Sequence, residues 1–106
     1  MITLTITPRA QANLYGLLTK KELDLRKVNK GTFFRSGEKK SGQAKWSHVR
    51  HPGWIKQQKC LGNVVVATFH SQSPDGEWQL FSSFMGFLDR HFRGHIASLN
   101  VVYGEE

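Results

Sequence analysis

Cysteine is almost missing from this chain. Cys60 stands alone among 106 residues, so no internal disulfide can form and stability has to come from a packed core. Long apolar runs are missing as well. No stretch approaches the roughly 18 to 20 residues that a membrane-spanning helix needs, and the opening Met1-Ile2-Thr3-Leu4 has neither the basic start nor the apolar stretch of a secretion signal. A cytoplasmic protein with no membrane partner is expected. No phosphate-binding loop, dinucleotide glycine fingerprint or Gly-x-Ser-x-Gly elbow occurs, and no paired-cysteine zinc signature accompanies the histidines. Neither a cofactor nor a metal site is expected.

Acids are scarce too, eight against fifteen lysines and arginines, for a formal charge of +7. The excess is local. Twelve of the fifteen cations lie between Lys20 and Lys59 with only Glu22, Asp24 and Glu38 among them, and the rest of the chain is slightly acidic. Such a field attracts phosphate backbones or acidic partners, although a basic surface also serves plain solubility.

What is present is enough for a core: 39% hydrophobic residues, with seven Phe and three Trp, is a globular balance and not a disordered one. The length is that of one α+β domain, residues 1 to 106. Residues 2 to 7 alternate Ile, Leu and Ile with Thr and read as a half-buried strand. Thr7-Pro8 reads as a cap followed by proline in a first helical turn, with a helix to about Lys20. Leu23 and Leu25 alternate as a strand would, but Arg26 to Lys30 is too polar for a buried element, and the segment reads as a loop. Thr32 to Arg35 and Lys45 to His51 have strand character and should pair as a hairpin around a charged turn. Asn63 to His70 is apolar on both faces and reads as an interior strand. Ser73-Pro74 opens a second helix whose Phe81, Met85, Leu88 and Phe92 recur at steps of three and four until Gly94, and Ile96 to Tyr103 closes the chain as a strand. The order suggests a ferredoxin-like split β-α-β sheet of four to five strands, with two helices packed on one face.

Function has to be read from the central segment. Lys45-Trp46-Ser47-His48-Val49-Arg50-His51-Pro52-Gly53-Trp54-Ile55-Lys56 mixes cations with two tryptophans, and cations that hold phosphate beside aromatic faces that stack on bases suit single-stranded nucleic acid. Arg35, Lys39, Lys40, Lys45, Arg50 and Lys56 are the expected phosphate contacts, Trp46 or Trp54 the stacking residue, and His48 a further contact on the Trp46 side of its strand. The choice between DNA and RNA is open. A tryptophan also commonly closes a core rim. Two further readings come from other classes. A broad apolar helix face or a bare sheet face would suit a structural or interaction module acting as a homodimer. His48 or His51 beside Lys45 and Arg50 would suit a small nuclease or hydrolase, but no carboxylate stands near in sequence to orient either ring, and no catalytic residue is assigned. His91 and His95, one helical turn apart, read as ordinary helix-end histidines, favoured there by the dipole when charged. Cys60, with Lys56 and Lys59 close by, reads as an ordinary small residue.

Overall fold

The computed structural model describes residues 1–38 and 40–104. Lys39 lies outside the described residues. Six strands form a single antiparallel sheet: β1 (Ile2–Pro8), β2 (Phe33–Arg35), β3 (Gln43–His48), β4 (Trp54–Lys59), β5 (Val65–His70) and β6 (Ile96–Tyr103), in the spatial order β2-β3-β4-β5-β1-β6. Helix α1 (Leu14–Lys27) follows β1, and α2 (Pro74–Phe92) follows β5. No helix of the described residues is long and apolar enough to cross a membrane.

The strand count is six and not the four to five expected, because β4 has no apolar alternation to show in sequence. Its inward positions are Ile55 and Gln57, and its outward ones Trp54, Lys56 and Gln58. Gln57 is fully buried opposite Ala44 and Ala67, and its amide makes no hydrogen bond among the described residues. Backbone pairing on both sides holds this strand in place despite that polar residue.

The first cap was misplaced. β1 runs through Pro8, where its register with β6 shifts and a missing N–H costs no ladder bond. Ala10 and Gln11 then take positive φ values of 50° and 54°, which no helix can continue. The cap is instead Asn13, whose side chain accepts the Gly16 N–H at 3.2 Å. α1 buries Leu14, Leu18 and Glu22, one turn apart. Glu22 is buried with its Oε2 3.2 Å from the Arg26 Nε, an ion pair without hydrogen-bond geometry. Helix thus continues where the polar sequence reads as loop. Asn29, at φ 56°, provides the left-handed stop. α2 follows its sequence signals: the Ser73 hydroxyl accepts the Gly76 N–H at 3.1 Å, with Pro74 in the first turn.

Ile2, Leu4, Ile6, Phe33, Trp46, Ile55, Val65, Ala67 and Phe69 project from one face of the sheet and join Leu14 and Leu18 of α1 and Leu80, Phe84, Phe87 and Leu88 of α2 in one buried cluster. Both helices therefore cover the same face. The alternate residues of the strands lie on the other face, which no helix of the described residues covers.

Candidate nucleic-acid interface

Cross-strand partners share a face, so the register assigns the open side residue by residue. Trp54 stands between Ser47 and His70, Lys45 faces Lys56, and Lys56 faces Thr68, which in turn faces Thr3. Phe34 on β2 lies next to Ser47 and is exposed. The open face thus carries threonines on β1 and β5, the paired Gln43 and Gln58 at one end of β3 and β4, and aromatics with cations over β3, β4 and β5. Val66 and Val102 are its scattered aliphatic residues. It is not the continuous apolar surface that the Val64 to Phe69 run suggests, because Val65, Ala67 and Phe69 all turn toward the helices.

Trp54 is 41% exposed. One side of its indole stacks on the His70 ring, centroids 5.1 Å apart and planes 14° apart, and the Lys45 ammonium sits 4.6 Å from its centroid. His70 is held in turn by a 3.0 Å hydrogen bond between Nε2 and the Thr68 Oγ1. Burial first and the Lys56 charge second push the His70 ring below the ordinary histidine range, with Glu77 opposing. Beside Trp54, a groove of about 350 Å³ runs along β3, walled by Gly37, Lys40, Gln43, Lys45 and Lys56, with Glu38 the acid on its rim. Like charges directly opposite on a sheet cost ~0.2 to 1 kcal/mol. Lys45 and Lys56 are such a pair, an arrangement that folding alone does not favour and that a bound anion would relieve.

The nine residues expected from the sequence divide. Lys45, Trp54 and Lys56 converge on the open face, and Lys40 stands at the rim of its groove. Trp46 is 1% exposed and packs edge-on to Phe84 and Phe87, at 6.1 and 5.6 Å, so it is core and has no face to offer a base. Arg35, paired with Trp46, lines a separate cleft between α1 and the β3 side of the sheet together with Lys20, Arg26 and Lys40. Arg50 lies beyond the end of β3 in an exposed turn and does not share the Trp46 strand face. His70 and Phe34 went unassigned in the sequence reading. The signal for His70 was its parity: it is an outward position of a strand whose inward positions are Val65, Ala67 and Phe69.

His48 also turns to the helix side. Its Nδ1 accepts the backbone N–H groups of Arg50 at 2.9 Å and His51 at 3.2 Å, so the proton resides on Nε2, which donates to the Ser83 Oγ at 2.9 Å. Both nitrogens are committed to holding the β3–β4 turn against α2, which leaves neither to move a substrate proton. The His51 ring lies tilted by 36° against this one, centroids 4.4 Å apart. Asp89 is taken up by Arg93 through two 2.8 Å hydrogen bonds. His91 is lowered and not raised: burial and the charges of Lys21 and Arg90 outweigh the helix end. Among the described residues, no group of three or more His, Cys, Asp or Glu could hold a metal ion.

Burial, then the His51 and Arg50 charges, lowers His48, and His70 and His91 move the same way. A histidine lowered by folding contributes stability that is whole above its unfolded value, 6.5, and that is lost as pH falls from there through the folded value. The melting temperature is accordingly expected to be flat above about pH 7 and to fall steadily toward about pH 5. Melts across that range check it, with imidazole nitrogen NMR expected to show His48 still mainly in its Nε2–H form at pH 6.5. A rise in stability on acidification would contradict the assignment.

Comparison with family models, curated proteins and solved structures found no match to this chain.

Proposed function

We propose that the open face over β3, β4 and β5 binds single-stranded nucleic acid, with Trp54 and His70 as the stacking surface and Lys45, Lys56 and Lys40 as the phosphate contacts. The carrying observation is the exposed Trp54 indole, backed by His70 and parked under the Lys45 ammonium on a face that no helix covers. Lys45 occupies the indole face that a base would need, so magnitudes decide. Displacing a solvated ammonium from an exposed ring costs about 0.5 to 1 kcal/mol. A stacked base contributes about 1 to 3 kcal/mol, and the freed ammonium gains a phosphate. Exchange is favoured. A single strand suits this face better than a duplex, because stacking requires bases that are already unpaired and splayed. The strand order β4-β5-β1-β6, with helices after β1 and β5, also supports reading the fold as a ferredoxin-like core extended by β2 and β3.

Fluorescent oligonucleotides titrated at low and moderate salt test the proposal. Binding is expected at low salt and should weaken steeply as salt rises. Trp54→Ala should weaken it by roughly 5- to 100-fold, the equivalent of one lost stack, with little change in melting temperature. Lys45→Ala with Lys56→Ala should weaken all sequences alike and flatten the salt dependence. Absence of binding at low salt, or a Trp54→Ala variant that binds as wild type does, overturns it.

A further inference from the structure

We infer that the outer edge of β6 pairs antiparallel with the same edge of a second copy, across a two-fold axis passing beside Asn100. The inference is independent of the nucleic-acid reading.

Among the described residues β6 ends the sheet, with β1 on one side and no strand on the other. Protein sheets blunt long edges with lysine, proline or brevity. The opposite edge obeys this, since β2 is three residues long and ends in Arg35. β6 does not: its eight residues, Ile-Ala-Ser-Leu-Asn-Val-Val-Tyr, include no charge and no proline.

The hydrogen-bond phase shows which backbone groups the edge presents. Gly104 donates to the Met1 carbonyl at 2.7 Å, and the Met1 amine donates back to the Gly104 carbonyl at 3.5 Å. In an antiparallel ladder such bonded pairs alternate with non-bonded ones. Val102, Asn100 and Ser98 therefore turn their N–H and C=O groups to Thr3, Thr5 and Thr7. Tyr103, Val101 and Leu99 turn theirs outward.

An edge of this kind can be satisfied by its own copy. With Asn100 opposite Asn100, Leu99 pairs with Val101 of the second copy and Val101 with its Leu99, which gives at least about four new backbone hydrogen bonds. The same axis sets Tyr103 opposite the second copy's Ala97. Ala97 lines a groove of about 320 Å³ between α2 and β6, whose apolar floor of Met85, Leu88, Ile96 and Leu99 is flanked by Arg9, Asp89 and Arg93, while Tyr103 is a 67% exposed aromatic with a polar hydroxyl. Each copy thus offers at one end of the strand the ring that fits the groove at the other end, which is the self-complementarity a two-fold interface demands. Charge favours a second copy too. The basic segment lies toward the β2 edge, so joining uncharged β6 edges keeps the two positive fields apart.

Sedimentation velocity from about 1 to 100 μM protein should show a species of twice the 12.1 kDa chain mass, shifting with concentration. Leu99→Pro removes an outward N–H and no bond to β1, so it should stay folded by circular dichroism and weaken the dimer at least ~10-fold. Asn100 is exposed, and substitution there leaves the core untouched. Asn100→Lys and Asn100→Asp should each weaken the dimer, by up to about 5-fold, through like charges facing across the axis, and an equimolar mixture of the two should restore it. Wild type remaining monomeric throughout, as it would if this edge takes an extended peptide from another protein, overturns the inference. So does a dimer of undiminished affinity in all three variants, or charge variants that fail to complement.

Discussion

Phe84→Ala is expected to cost about 3 to 5 kcal/mol of unfolding free energy, which lowers the melting temperature by roughly 15 to 30 °C in a domain of this size. The reason is the number of rings that meet there. Phe84 is fully buried, and its ring lies 5.9 Å from Phe33, 6.1 Å from Trp46, 5.6 Å from Phe69 and 6.3 Å from Phe87. Those four rings come from β2, β3, β5 and α2 itself, so no single element can move to refill the space. Most of the transfer and cavity cost is therefore retained. Trp78, on the same helix but 53% exposed, is the control. Its removal should cost well under half as much, because much of its surface is already in water. Chemical denaturation of both variants decides the matter, and a Phe84→Ala variant that melts within a few degrees of wild type would refute this account of the core.

Gly53→Ala is expected to damage both stability and the open face. Gly53 has φ +106°, and a Cβ there would run into the His70 carbonyl oxygen and the Leu80 side chain. The first obstacle is backbone of the neighbouring strand, which has no rotamer to change. A loss of at least about 2 kcal/mol is expected. The displaced strand end carries Trp54 against His70, so nucleic-acid affinity should fall with it. Gly62→Ala separates the two contributions. That glycine also has positive φ, +71°, but nothing lies within 4 Å of a Cβ there, so it should cost only about 1 kcal/mol and leave binding unchanged. Equal effects at the two glycines would mean that the close approach of Gly53 to β5 is without consequence.

Legibility in the sequence followed how local each interaction is. α2 announced itself because Ser73 caps Gly76 three residues on and the Phe and Leu stripe lies within one helix. β1, β5 and β6 were equally plain, since alternation or aliphatic density is written into consecutive residues. α1 was only half visible, because its last turns bury Glu22 beside Arg26, an arrangement that reads as surface in a one-dimensional pattern. β4 was hidden because a buried Gln57 stands where the alternation required an apolar residue. Within the candidate site the same rule divides the residues. Composition drew attention to the segment from Lys45 to Lys56, but it could not say which tryptophan was core.

The sequence by itself determined the α+β class, two helices, the site of the second cap, an uncharged closing strand and a basic middle. Each of these depends on residue types within a few positions of one another, where side-chain periodicity and capping act. Only the tertiary structure decided that Trp46 and His48 turn inward while Trp54, Lys45 and Lys56 turn out, that His70 completes the stack, and that the uncharged strand forms an edge. Those outcomes rest on strand register and on which face the helices cover. A shift of one residue in register exchanges the two faces of a strand, and that register is set by pairing between segments far apart in the chain.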